Sequence, residues 1–260
     1  MPMGNQGILQ YGKTPIPLLY ENDLCFVFNK PAGLAVQGGE GVKTSLDSIL
    51  SLHCSPRPLL VHRLDRDTSG VILVAKTKEA AHFFSGLFSS PKSGLKKQYL
   101  AVCKGVPEPE TGKISLAIDG KKSETFYKLI SSLNLCVPLR EENSNKFSML
   151  ELELGTGRMH QIRRHLSQIS HPLLGDDKYG DFSLNKKLRK AIGLKHLLLH
   201  ASRLIIPHSS GFPGGLDINA PLPDYWLKIS FVSISRPGST DTGTISGTFV
   251  SSAASGSFVP

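Results

Sequence analysis

The sequence predicts an α+β fold. Short apolar runs of the kind that become buried strands recur along the chain, and amphipathic helical windows interrupt them at irregular intervals, with no repeated βαβ period. A 40% hydrophobic content over 260 residues is enough for one large domain or two small ones. No apolar run approaches the ~20 residues that a membrane-crossing helix needs.

Residues 1–16 read as a loose arm without the charged-then-apolar layout of a secretory signal, so a cytoplasmic location is expected. Residues 24–28 (LCFVF) form a strand, and Asn29, Lys30, Pro31, Ala32 and Gly33 turn the chain. Residues 44–53 fit a short helix with Leu46, Ile49 and Leu50 on one face. Leu59, Leu60 and Val61, then Val71, Ile72, Leu73 and Val74, are strand runs, and Asp67, Thr68, Ser69 and Gly70 supply the turn between them. Thr77 caps a helix carrying Ala80, Phe83, Phe84 and Leu87 at i, i+3, i+4 and i+7, a core stripe. Strands follow at 98–103, 124–130 and 148–154.

Met159, Ile162, Leu166 and Ile169 define a buried helical face, with Arg158 at or just before its first turn and His160, Arg163 and Arg164 off the stripe. A further helix at 183–192 turns Leu184, Leu188 and Ile192 inward and its lysines outward, and the apolar run 197–206 closes the fold. Residues 236–260 are rich in Ser, Gly and Thr and almost uncharged, a composition that cannot bury a core and reads as a flexible tail. The folded domain is therefore placed at 17–235.

The net charge of +9 biases the protein toward polyanions, because each neutralised phosphate releases counterions. The excess is localised. Between 182 and 216 there is no acid, but there are Lys186, Lys187, Arg189, Lys190, Lys195 and Arg203. Charge alone does not decide between RNA, an anionic membrane surface and a solvated face. Four scattered cysteines, without a Cys-x-x-Cys pair, argue against a thiolate metal site, and Cys25 and Cys103 sit in apolar runs as small hydrophobes. Among nine histidines, His160 and His165 are five apart and His196 and His200 four apart. Neither pair brings an evident third ligand, so no metal is expected.

The segment 60–76, LVHRLDRDTSGVILVAK, sets an acid, Asp65, among His62, Arg63 and Arg66, between two strand runs. A carboxylate at strand ends is placed like a catalytic group on a rigid scaffold, with Arg63 projecting to the same side. By itself such a turn is more simply a solvated surface pair. A second block, GRMHQIRRHL (157–166), is followed by HPLLGDDKYGD (171–181). With both present, and with FNKPAGLAV (28–36), KKQYLAVCKG (96–105), LHASRL (199–204) and INAPLPDYW (218–226) in the same order, the chain resembles the RluA-type pseudouridine synthases, which modify uridines in ribosomal and transfer RNA. The resemblance covers residues 17–229. One departure is Ser209, where family members often have Pro.

The resemblance implies a long, bent, mostly antiparallel mixed sheet flanked by helices, with an active cleft across its middle. With few residues before position 20, a catalytic domain alone is expected. It implies isomerisation of uridine without cofactor or metal. Asp65 is the catalytic carboxylate, and Arg158 matches the arginine that pairs with it. Tyr99 matches the aromatic that stacks on an extracted uracil. A phosphate contact at a helix start is the competing role for Arg158. Arg63, His62 and Arg66 are placed for RNA binding beside Asp65, Lys186, Lys187 and Lys190 for RNA binding on an outer face, and Leu173 and Leu174 as an apolar wall against the base. The expected partner is an rRNA or tRNA stem-loop, bound by a monomer and without a membrane. The rival reading is a catalytically idle RNA-binding or folding module, and Asp65, Tyr99 and Arg158 together count against it. A base-removing glycosidase is remoter.

Overall fold

A computed structural model describes residues 9–135, 146–209, 212–227 and 231–233. The chain opens with a hairpin of β1 (Gln10–Tyr11) and β2 (Thr14–Pro15), then β3 (Leu18–Glu21), β4 (Cys25–Lys30) and helix α1 (Leu46–His53). There follow β5 (Leu59–Leu60), β6 (Ser69–Ala75), α2 (Lys78–Ser89), β7 (Lys96–Lys104), β8 (Thr111–Ile114), β9 (Thr125–Leu135) and β10 (Lys146–Leu154). Helices α3 (Gln161–Gln168) and α4 (Phe182–Ile192) come next. After them come β11 (Leu199–Ile206), β12 (Leu216–Asn219), the short α5 (Asp224–Leu227) and β13 (Phe231–Ser233).

One large mixed sheet runs β13-β9-β10-β7-β11-β6-β4-β3, with β12 added to β11, β5 to β6 and β8 to β9. Its pairings are antiparallel except where β11 meets β6 in parallel. This is the α+β architecture that the irregular element spacing predicts. Side chains of β4 and β6 alternate between two apolar layers, as the period of two requires. Phe28, Ile72 and Val74 face a layer containing α1 and α3, through Leu46, Ile49, Leu50, Ile162 and Leu166. Val27, Val71 and Leu73 face Ala80 and Phe84 of α2. A third cluster packs Leu184 and Leu188 of α4 on Val102, Phe147 and Met149. Both faces of β6 are therefore covered, and all seven of its residues are buried.

Local signals explain the helix starts. Ser45 and Ser48 cap α1 reciprocally, Thr77 accepts from the Ala80 N–H at the head of α2, and Asp181 does the same for Leu184 in α4. The arm is corrected over the residues described. Leu9 and Ile16 are core residues, and the Ile16 N–H donates to the Leu9 carbonyl at 2.7 Å, so 9–16 is a fastened hairpin. The tail proposed at 236–260 lies outside the described residues. No helix among those described is long and apolar enough to cross a membrane.

Candidate active site

The loop 61–68 leads from β5 into β6, and neighbouring segments fix it. Lys30, fully buried at the end of β4, donates from Nζ to the carbonyls of Pro31 (3.0 Å), Leu34 (2.8 Å) and Arg66 (3.0 Å). The Gly33 N–H donates to the same Arg66 carbonyl (2.9 Å), and the Asp65 carbonyl accepts from the Thr68 N–H (3.2 Å). Burial draws the Lys30 ammonium down to about 7, against the pull of Asp67 and Asp65. Ser69 Oγ lies 2.8 Å from His200 Nδ1. Gly70 takes φ +114°, and a Cβ there would fall 2.1 Å from the Ala201 carbonyl oxygen, so only glycine fits where β6 meets β11.

Asp65 faces a cavity of about 390 Å³, walled also by Tyr99 of β7 and the turn 157–163 that opens α3. Its nearest cation is Arg163, with Nη1 3.9 Å from Oδ2. Arg163 is itself buried (4% exposed) and fixed by a two-pronged bond to Asp176, Nε to Oδ2 at 2.8 Å and Nη2 to Oδ1 at 2.7 Å. Asp176 also accepts the Lys178 and Tyr179 N–H groups, so hydrogen bonds overcome its burial and hold it below the ordinary carboxylate range. His160 has the left-handed conformation φ 54°, ψ 30°, uncommon off glycine. That turn sets its Nε2 3.8 Å from Asp65 Oδ1 and its Nδ1 3.0 Å from the Tyr179 hydroxyl. Burial keeps His160 below its ordinary pKa, opposed by Asp65, so at neutral pH it is an uncharged neighbour.

Among the described residues the Asp65 carboxylate receives no hydrogen bond, although a guanidinium stands within 4 Å. Burial raises its pKa, and His160, Arg163, Arg63 and Lys30 counter that. An acid of this kind is restrained but not quenched by donors, which leaves its electron pairs available to a substrate. Burial and the Asp65 charge together push the Tyr99 phenol well above the ordinary range, so the resting hydroxyl keeps its proton.

The family profile described as RNA pseudouridylate synthase matches residues 24–168, more than half of the chain. The chain belongs to this family. Such synthases are isomerases that convert uridine in RNA to pseudouridine. The chain is 34% identical over 230 residues to the ribosomal large subunit pseudouridine synthase C of Rickettsia bellii, covering 82% of this chain and 70% of that one. It is 30% identical over 236 residues to the tRNA pseudouridine synthase C of Haemophilus ducreyi, covering 82% and 94%. Among solved structures it is similar to human RNA pseudouridylate synthase domain containing 4, with 27% identity and TM-score 0.63 over 81% of this chain and 90% of that one.

In this synthase the sequence-expected residues divide into three groups. Asp65, Tyr99, Arg63 and His62 do line one cavity. Arg158 also lines it, but its side chain is exposed, and its Nε contacts the Lys122 carbonyl at 3.4 Å. The ion-pair partner of Asp65 is Arg163, which corrects the assignment of that role to Arg158. The reason is local: Gln161 Oε1 accepts the Arg158 N–H (3.0 Å) and the Thr156 hydroxyl (2.7 Å), fastening the backbone while the side chain leaves the turn. Met159 is likewise exposed, not part of the α3 core face. His62, expected among the RNA-binding residues, lines the cavity as an uncharged ring held from within the protein. Its Nε2 accepts the Leu73 N–H (2.9 Å), its ring stacks on Phe88 at 4.1 Å, and burial lowers its pKa to about 3. Leu173 and Leu174 are no base wall. Both are buried core residues outside the lining, Leu173 bridging to Cys103 and the Leu174 N–H donating to the Val102 carbonyl.

Arg66 is exposed and pairs with Asp67 at 3.3 Å. Lys186, Lys187 and Lys190 lie exposed on α4, away from the cavity wall. Sequence reasoning missed His160, Arg163, Asp176 and Tyr179 as a connected set. The signal was the pairing of the HQIR and GDDKY blocks, thirteen residues apart at the Arg163–Asp176 bond. No group of three or more His, Cys, Asp or Glu among the described residues is placed to hold a metal.

Proposed function

We propose that this synthase isomerises selected uridines of ribosomal or transfer RNA, with Asp65 as the electron-pair donor at the nucleoside. The observation that carries this reading is the exposed edge of Asp65 in a cavity shared with Tyr99, beside a guanidinium locked by Asp176. Breaking the N1–C1′ bond builds positive charge on the sugar, which an ionised carboxylate offsets, as in glycoside cleavage. Uracil leaves as a stabilised anion, turns in the cavity, and bonds to C1′ through C5. The C5 proton is lost and N1 gains one, so no atom is added or removed and no cofactor is needed. Tyr99 offers a ring for stacking and a protonated hydroxyl. Arg163 holds charge beside Asp65 without consuming its lone pairs. To reach the cavity the uridine must be flipped out, at a few kcal/mol, and the exposed Arg63 stands at the rim to occupy the space it vacates.

The choice of RNA follows from the relatives, one acting by name on the large ribosomal subunit and one on tRNA. The same proposal has the enzyme act as a monomer in the cytoplasm. The test uses RNA transcripts carrying tritium at uracil C5. Release of tritium to water by the protein, and none by Asp65→Asn, is the expected result. Free labelled uracil would indicate a glycosidase, and no reaction on any cellular RNA would leave only a binding module.

A further inference from the structure

A second concavity, of about 490 Å³, adjoins the Asp65 cavity. It lies between the connection from α2 to β7 and residues 153–158, and Phe88, Ser89, Lys97, Leu154, Gly157 and Arg158 belong to both walls. The two hollows are therefore one trough with a neck. We propose that the second hollow seats the nucleotide adjoining the target uridine, with the Lys97 ammonium on the phosphate that joins the two. This rests on the Asp65 cavity being the seat of the uridine.

Lys97 supplies the main argument. It is half-buried at the neck, and among the described residues its ammonium has neither a carboxylate nor a hydrogen-bond partner. Gly157 lies beside it, where a Cβ would only just reach van der Waals contact with Lys97 Nζ, at 3.7 Å. A half-hidden ammonium with no anion of its own is poorly solvated, and burial does lower its pKa. An external phosphate would complete it. Arg158, freed from Asp65 and exposed, adds a second cation to the same neck. Beyond the neck the chemistry changes. Glu153 lines only the second hollow, and its Oε2 is buried without a hydrogen-bond partner among the described residues. A cationic neck leading to a wall that carries a carboxylate suits a nucleotide, which brings one phosphate together with N–H or O–H donors. It does not suit a free inorganic anion, which Glu153 would repel.

The test is a double-mutant cycle between protein and RNA. A transcript that shows tritium release is remade with one uncharged methylphosphonate on the 5′ or the 3′ side of the target. A 2′-deoxy sugar is placed at that linkage both there and in the charged control. Lys97→Gln is expected to weaken binding of the control about tenfold, the effect of deleting one desolvated cation from a phosphate. At one of the two linkages the methylphosphonate should cost the native protein the same factor and cost Lys97→Gln nothing further. Ser89→Asp, an anion added at an exposed position on the shared wall, should weaken binding similarly with an unchanged melting temperature, and it carries the test if Lys97→Gln fails to fold. Additive losses at both linkages, or full affinity in Ser89→Asp, overturn the proposal while tritium release by the native protein leaves the isomerase reading standing. Absence of release on every RNA sinks both.

Discussion

Burial holds the Asp65 carboxyl above the ordinary carboxylate range even though His160, Arg163, Arg63 and Lys30 draw it down. The folded protein therefore grips this proton more tightly than the unfolded chain does. The associated stability is complete below the unfolded pKa and is lost as pH rises through the folded one. At neutral pH the ionised acid works against its own fold, as catalytic groups often do. Asp65→Asn should abolish tritium release and yet melt no lower than the parent at pH 7. A clear drop in melting temperature would show that the carboxylate is stabilised by interactions the geometry does not contain. Arg163 should behave oppositely. Arg163→Lys loses the fork to Asp176 in a buried site, where stripping one partner of an ion pair costs about 3–5 kcal/mol. Urea unfolding should show part of that loss, and kcat should fall on the order of 100-fold. Arg158→Ala, by contrast, should act mainly on KM. Equal damage to kcat from both arginines would return Arg158 to the role of partner to Asp65.

Elements were legible where one periodicity governs them. Helix α4 is the clear case: Leu184 and Leu188 are buried, its lysines are exposed, and Asp181 caps its start. Replacing Lys186, Lys187 and Lys190 with Gln leaves that buried face intact, so folding should survive. RNA affinity should fall for all sequences alike, and the slope of log affinity against log salt should flatten by roughly 0.7 for each phosphate no longer neutralised. An unchanged slope would make this face mere solvated surface. Arg203 cannot contribute similarly, because Asp217 already holds it in two bonds of 2.7 and 2.6 Å. Helix α3 was legible only in part. Arg163 lies off the apolar stripe and looks solvated, because a helical pattern cannot distinguish a side chain facing water from one facing a buried carboxylate in another segment. Leu173 and Leu174 failed for a related reason: apolar character predicts burial, and the partner strand decides what the residue is buried against. The strand entry at Gly70 gives a sharper test of element geometry. Gly70→Ala would put a methyl into the Ala201 carbonyl at a φ that L-residues rarely adopt. We expect at least about 3 kcal/mol of destabilisation by urea unfolding, and a near-neutral result would mean that β6 and β11 can separate there.

At the scale of the whole molecule, strand faces were readable but strand neighbours were not. The run 197–206 read as a closing element, whereas β11 lies in the middle of the sheet, between β7 and β6. Alternation tells which side of a strand is apolar and is silent about which strand lies alongside. That central position has a consequence for how the protein is made. The segment bearing Asp65 leaves the ribosome early, but Ser69 is clasped by His200, 131 residues later in the chain. Closing so long a loop is slow compared with forming the β4–β6 hairpin beside it. Nascent chains should therefore carry a catalytic loop that is tethered at Lys30 and open at its other end until β11 arrives. In pulsed amide exchange during refolding, Leu73 and Val74 should gain protection well before Ala201. The capacity to act on RNA would then switch on only after nearly the whole described chain has been synthesised, which keeps a half-built enzyme from working on the ribosome that is producing it.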